Sequence, residues 1–156
     1  MEEFGGCPGS RTLDFREKEK ENEETVGKIT SHLNQWPIQL HLISPTAPYY
    51  QEADVLLTAD CVAYALGGFH REYLKGKSIS IACPKLDQGQ DTYIEKIKSW
   101  IDDAKINTLS VLIMQVPCCM GLVGLAQEAA KQAQRKVPIK YVVVSLRGEI
   151  LKEEWF

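Results

Sequence analysis

Thr108–Gln132 reads TLSVLIMQVPCCMGLVGLAQEAAKQ, and this stretch decides the fold prediction. Its first half is apolar on consecutive positions, as in a strand that is covered on both faces of a sheet. Its second half is rich in alanine, which favours a helix. Pro117 and two adjacent cysteines, Cys118 and Cys119, stand between the halves. The stretch therefore predicts a buried strand, a turn that carries two thiols, and a helix.

Other short apolar runs have the length of strands, and helical patterns separate most of them. The runs are IQLHLI (38–43), DVLLTA (54–59), SISIAC (78–83) and IKYVVVSL (139–146). The helical patterns are CVAYALGGFHREYLK, which Gly67-Gly68 interrupts, DTYIEKIKSWIDDAK, which Asp91 could cap, and GLVGLAQEAAKQAQRK. This alternation predicts a three-layer α/β domain of the Rossmann or flavodoxin kind, in which helices cover both faces of a mainly parallel, five-stranded sheet.

The beginning of the chain has a different composition. Residues 1–24 combine glycine with a run of mixed charges and predict an irregular, partly flexible arm. Apolar residues spaced three and four apart then predict a helix from Thr25 to about Asn34. Residues 25–156 are expected to form a single α/β domain.

Composition narrows the possible functions. The 156 residues carry a net charge of −3 and show no basic stripe, which argues against a nucleic-acid surface. The longest uncharged stretch, 106–126, is interrupted by polar residues, proline and glycine, so a membrane span is not expected. The first residues, MEEFGGCPGSR, do not resemble a secretory signal. A cytoplasmic protein is expected, in which the five cysteines are thiols or metal ligands.

The cysteines fall at the ends of predicted strands. Cys61 follows the run 54–59, Cys83 closes the run 78–83, and Cys118 and Cys119 follow the apolar run that begins at Thr108. The carboxyl ends of parallel strands lie along one edge of a sheet, where ligands bind. These four thiols are therefore expected to meet at one edge, although each could also be an ordinary buried cysteine.

Local chemistry suggests what such a group of thiols could do. A helix start stabilises a thiolate, so the thiol pKa of Cys118 and Cys119 is expected to be lowered. Three thiolates and His70 could bind zinc, and four thiolates could hold an iron–sulfur cluster. Asp60 could act as an acid, a base or a partner of a ligand, or could simply cap the following helix. Lys85 and Asp87, which lie in CPKLD, could likewise have either a functional or a purely structural role.

The motifs GGCPGS, QWPIQLHLISPTAPYY, ADVLLTADCVAYALGGFHREYLKGKSISIACPKLD and VPCCMGL resemble a known domain. It lies C-terminal to a ferredoxin module with two [4Fe-4S] clusters in iron–sulfur-binding proteins of anaerobic bacteria and archaea. The resemblance implies that Cys7 belongs with the other cysteines and that a ferredoxin or another redox protein is a partner. Two features differ from the pattern: the ferredoxin module is missing from this sequence, and Met120 follows the cysteine pair where glycine is expected.

Several functions remain open. The first is a redox module in which Cys61, Cys83, Cys118 and Cys119 hold an iron–sulfur cluster for electron transfer. The second is a zinc-binding domain that could catalyse hydrolysis, with Asp60 assisting proton transfer. The third is a metal-free thiol protein in which Cys118 attacks and Cys119 or Cys83 resolves. The fourth is an interaction domain without chemistry. Whether the protein is an enzyme stays open, and Trp155-Phe156 could provide a homodimer contact.

Overall fold

The computed structural model describes residues 8–16 and 28–156, in which a five-stranded sheet carries the fold. A short antiparallel pair, β1 (Leu13–Asp14) and β2 (Gln35–Trp36), precedes it. The strands of the main sheet are β3 (Asp54–Ala59), β4 (Ser78–Ala82), β5 (Thr108–Met114), β6 (Ile139–Val144) and β7 (Ile150–Trp155). Their order is β4-β3-β5-β6-β7, with β7 antiparallel to its neighbour and the other pairings parallel.

The helical segments lie between these strands. Among the described residues, the α-helices are α1 (Val62–Ala65), α2 (Gln90–Asp102) and α3 (Met120–Gln132). A π-helical turn spans His70–Leu74, and 3₁₀ turns span Pro8–Ser10, Pro48–Tyr50 and Pro117–Cys119. Helices α2 and α3 pack against each other on one side of the sheet. None of the helices in the described ranges is long and apolar enough to cross a membrane.

The order of the strands creates a point where the chain changes direction. From β3 the chain moves to β4 on one side, and from β4 it returns across β3 to β5 on the other side. Right-handed crossovers therefore place the connection that carries α1 on the face opposite α2 and α3. The loops that follow β3 and β5 leave towards opposite faces. The gap between them is the crevice where proteins with this topology bind ligands.

The core consists of inward-facing aliphatic residues and a cluster of large aromatic side chains. Tyr49, Tyr50, Tyr93 and Trp100 are almost fully buried. The rings of Tyr50 and Trp100 lie 5.2 Å apart, and those of Tyr49 and Tyr50 lie 4.8 Å apart. All residues of β5 after Thr108 are buried, as the consecutive apolar pattern predicts for an inner strand.

The α/β prediction is confirmed, but one strand was misplaced. The run 38–43 forms a single parallel bridge, between Gln39 and Ile81, and then turns. The carbonyl oxygen of Gln39 accepts hydrogen bonds from the N–H groups of Leu42 and Ile43, at 2.8 and 3.1 Å, so the chain cannot continue as a strand. The fifth strand is β7, which the sequence reading missed because every residue of ILKEEW is exposed.

The helix predictions also need corrections. Residues 28–34 form no regular structure, so the described part of the predicted helix at Thr25–Asn34 is not helical. Helix α3 ends at Gln132, before the basic residues at 135 and 136. Gly89, whose φ is 67°, stands at the N-cap of α2, and Asp91 lies inside its first turn instead. The break at Gly67-Gly68 is confirmed.

Candidate thiol site at the carboxyl edge of the sheet

Three cysteines flank the crevice between the ends of β3 and β5. Cys61 is exposed and stands at the N-cap of α1, just beyond β3. Cys118 is exposed and Cys119 is buried in the 3₁₀ turn that leads from β5 into α3. The N–H group of Cys119 donates to the carbonyl oxygen of Val116 at 3.1 Å, which holds this turn tightly. Each of these cysteines is a free thiol.

The pKa of the Cys119 thiol depends on its burial and on the nearby thiols of Cys118 and Cys61. Burial raises the pKa of Cys119, and a hydrogen bond with the backbone of Met114 opposes this effect. The Cys118 thiol, which is hydrogen-bonded to it, and the nearby Cys61 thiol raise its pKa further. The prediction of a lowered pKa is therefore wrong for Cys119, because burial outweighs the stabilisation that a helix start gives to a thiolate. The thiol of Cys61, which follows β3, therefore acts electrostatically on a thiol that follows β5.

The fourth cysteine lies in a loop that reaches towards the same region. Cys83 is half-buried and directly follows β4, and its N–H group donates to a carboxylate oxygen of Asp87 at 2.9 Å. The next residue, Pro84, packs against the first turn of α3, since a Cβ atom built on Gly121 would lie 3.1 Å from the Cβ of Pro84. The loop after β4 thus crosses the end of β3 and touches the helix that begins beside Cys119.

Asp87 organises this loop, and the sequence reading gave it no definite role. Its carboxylate accepts hydrogen bonds from the Cys83 N–H group, the Gln39 side-chain amide and the Tyr93 hydroxyl. Burial and the Asp87 carboxylate raise the pKa of Tyr93 well above its ordinary value. The sequence contained one indication of this role, because Asp87 is an acidic residue four positions after Cys83, the cysteine at the end of a predicted strand. Lys85, the other candidate in CPKLD, is exposed.

Asp60 is the second carboxylate at this edge. Its N–H group donates to the carbonyl oxygen of Ala82 at 3.1 Å, which ties the ends of β3 and β4 together. Burial raises the pKa of Asp60, and the neighbouring charge of Asp87 raises it further. Asp60 does not cap α1 with its side chain, because the N-cap position belongs to Cys61. It directly precedes Cys61 in the chain and lines a cavity.

The cavity has a volume of about 220 Å³, and most of its wall is apolar. Its polar lining residues are Ser31, Thr58, Asp60, Tyr64 and His70. The Nδ1 atom of His70 accepts a hydrogen bond from the His32 N–H group at 3.1 Å, which leaves the ring hydrogen of the neutral form on Nε2. Burial, followed by the nearby His32, lowers the pKa of His70. His70 therefore belongs to the wall of this cavity.

The predicted metal ligands do not assemble into a metal site within the described residues. In residues 8–16 and 28–156, no group of three or more histidine, cysteine, aspartate or glutamate side chains has the arrangement to hold a metal ion. Within these ranges, the side chains as placed do not form a site for a resident zinc ion or cluster. Cys7, which the resemblance added, lies outside the described residues.

Comparison with known proteins agrees with the topology. A model of a family described as a Rossmann-like domain matches residues 47–156. The chain belongs to this Rossmann-like family. An uncharacterized protein of Archaeoglobus fulgidus is 28% identical over 120 residues, which cover 76% of this chain and 82% of that relative. No solved structure matches the chain. Membership of the family explains the fold and the crevice between β3 and β5. It does not define a function, which depends on the residues in that crevice.

Proposed function

We propose that this member of the Rossmann-like family is a thiol redox protein in which Cys61 and Cys119 alternate between a dithiol and a disulfide. The observation that carries the proposal is the strand order, which places the loops that bear Cys61 and Cys119 next to each other at the point where the sheet changes direction, and the thiol of Cys61 raises the pKa of Cys119. Cys61 is exposed and can meet a partner, whereas Cys119 is buried behind it. An accessible attacking thiol and a shielded resolving thiol suit thiol–disulfide exchange.

Cys61 is a better partner for Cys119 than the adjacent Cys118. A disulfide between neighbouring residues closes a strained eight-membered ring. Cys61 belongs to another segment of the chain, and its thiol affects the pKa of Cys119. Cys118 remains exposed beside the pair and hydrogen-bonded to Cys119. Cys118 stays a thiol next to Cys119 throughout the exchange and does not enter the disulfide.

The exchange needs an external disulfide as the oxidant. The thiolate of Cys61 attacks one sulfur of that disulfide, forms a mixed disulfide and releases the first external thiolate. Cys119 then loses its proton and attacks the sulfur of Cys61, which releases the second external thiolate. Two protein thiols have been oxidised by two electrons, one external disulfide has become two thiols, and the protons pass to the released thiolates. The reverse sequence reduces a partner.

Oxidation followed by peptide mapping tests the pairing. Protein treated with oxidised glutathione, alkylated and digested is expected to contain a peptide cross-linked through Cys61 and Cys119. Cys61→Ser and Cys119→Ser should each lose this peptide, whereas Cys118→Ser should retain it. Failure of the wild-type protein to form an internal disulfide, or a disulfide that uses other cysteines, would overturn the proposal.

Iron–sulfur or zinc binding by Cys61, Cys83, Cys118 and Cys119 stays a prediction, and so does a ferredoxin as the redox partner. The resemblance to ferredoxin-associated domains supports it, and thiolates are the ligands that such metals prefer. Assays for iron, zinc and acid-labile sulfide in anaerobically prepared protein separate the alternatives. Stoichiometric iron and sulfide would replace thiol exchange by electron transfer. Stoichiometric zinc alone would favour the zinc alternative. Metal-free protein with reactive Cys61 supports thiol exchange.

A further inference from the structure

The two edges of the main sheet differ in their exposure. At the β4 edge, Ile81 exchanges backbone hydrogen bonds with the chain at 38–40: its N–H group donates to Ile38 at 2.8 Å, and its carbonyl accepts from Leu40 at 2.9 Å. At the opposite edge, β7 pairs with β6 on one side, and all six of its residues are exposed. An uncovered edge strand offers its free backbone groups to another strand.

One hydrogen bond shows which groups of β7 are free. The N–H group of Phe156 donates to the carbonyl oxygen of Ile139 at 2.9 Å, so residue 156 directs its backbone towards β6. In an antiparallel ladder this direction alternates along the strand. The backbone groups of Glu153 and Trp155 therefore point away from the sheet, whereas the β-bulge at Leu151 ends this alternation. They form a row of donors and acceptors that a second antiparallel strand can use.

We propose that this edge pairs with β7 of a second copy across a two-fold axis at Glu153, which joins the two sheets into one. A two-fold axis perpendicular to the sheet brings together residues at equal distances on either side of the axis. Lys152 then faces Glu154 of the second copy. This contact occurs twice.

The side chains favour this register over its neighbours. An axis at Lys152 would oppose two lysines. An axis at Glu154 would oppose two glutamates and would place Glu153 against Trp155. The chosen register does bring the two Glu153 side chains together. Each of them is already paired with Lys140 of its own chain at 2.6 Å, which offsets their repulsion. Opposite charges directly across strands stabilise pairing.

Both faces of the joined sheet would gain compatible contacts. Lys152 and Glu154 lie on the face of Tyr141, whose hydroxyl donates to the Glu154 carboxylate at 2.7 Å. Trp155 lies on the other face, and 58% of its surface is exposed in the single chain. Pairing would cover part of this apolar side chain, which a single copy leaves in contact with water.

Reversal of the charges at Lys152 and Glu154 tests the proposal. Wild-type protein in multi-angle light scattering is expected to have twice the mass of the 17.6 kDa chain. Lys152→Glu or Glu154→Lys alone should dissociate the dimer, because each change opposes like charges twice. The double variant K152E/E154K should restore it. Lys131→Glu, on the exposed part of α3, is the matched control and should remain dimeric.

A second variant addresses the backbone. Glu153→Pro removes an N–H group that points away from β6, so the chain should keep its circular dichroism spectrum and lose the dimer. A monomeric wild-type protein at all concentrations would overturn the proposal, as would a double variant that stays monomeric. Binding of an extended peptide to a monomeric wild type would assign the edge to a different partner and would also overturn it. These results do not depend on thiol chemistry at Cys61.

Discussion

At the scale of single residues, Gly148 holds the turn between β6 and β7 against α1. Its φ is 83°, a conformation that side chains disfavour, and a Cβ atom there would overlap the carbonyl oxygen of Ala65. Its N–H group donates to the carbonyl oxygen of Ser145 at 3.0 Å, which closes the turn. The turn therefore needs glycine for two independent reasons, backbone conformation and space.

We expect Gly148→Ala to lower the free energy of unfolding by about 2–4 kcal/mol, because strain and overlap act together. Gly124→Ala in α3 is the matched control. A Cβ there meets no atom within 4 Å, and a helix interior favours alanine by about 0.5–1 kcal/mol. Urea unfolding measures both changes. Equal stability of the wild type and Gly148→Ala would contradict the described turn.

Asp60 should make stability depend on pH. Its pKa in the folded protein is raised above the ordinary value of 3.8. The folded state thus holds this proton more tightly than the unfolded state, so Asp60 lowers stability as the pH rises through the interval between 3.8 and its raised pKa. Asp60→Asn is expected to be more stable than the wild type near neutral pH and to lose this advantage in acid below that interval. Urea unfolding at both pH values measures the difference. An equal difference in acid and at neutral pH would show that the carboxyl charge is not its cause.

At the scale of elements, the β4 edge is closed partly by a side chain. Gln35 is 1% exposed, and its amide lies along the backbone of Ile79. Its Oε1 atom accepts from the Ile79 N–H group at 2.7 Å, and its Nε2 atom donates to the Ile79 carbonyl oxygen at 3.0 Å. The Tyr50 hydroxyl donates to the same carbonyl at 2.9 Å. One amide thus replaces the pairing that another strand would provide.

Replacing Gln35 by alanine should therefore lower the free energy of unfolding by about 2–3 kcal/mol, because the buried N–H group of Ile79 loses its acceptor. Hydrogen exchange should show faster exchange at Ile79. The control Gln134→Ala changes an exposed glutamine and should stay within about 0.5 kcal/mol of the wild type. An unchanged exchange rate at Ile79 in Gln35→Ala would mean that another group accepts this hydrogen bond.

The elements also show where sequence patterns reach their limit. Inner strands such as β5 can be recognised from consecutive apolar residues, because both of their faces are covered. Strand β7 has no such pattern, since an exposed edge strand can carry charges at most of its positions. The run 38–43 has the composition of a strand, but hydrogen bonds to the carbonyl and side-chain oxygens of Gln39 turn it.

At the scale of the whole molecule, a disulfide between Cys61 and Cys119 would connect the loops after two strands of the sheet. It would close a segment of about 60 residues and is expected to raise the free energy of unfolding by about 4 kcal/mol, chiefly by restricting the unfolded chain. Comparing urea unfolding of oxidised and reduced protein measures this change. Cys61→Ser should unfold alike under both conditions. The same shift in that variant would assign the stabilisation to a different cysteine pair.

The sequence by itself determined the α/β class, the four parallel strands to within two residues at their ends, and the position of four cysteines at or just beyond strand ends. These features follow from local patterns, because burial on both faces of a strand leaves its mark on consecutive residues. Only the tertiary structure decided which thiols meet. Strand order placed β3 beside β5 and so made neighbours of the loops that carry Cys61 and Cys119, while burial raised the pKa of Cys119 against the local effect of the helix start. Strand order and burial depend on contacts between distant segments, and no single stretch of sequence contains them.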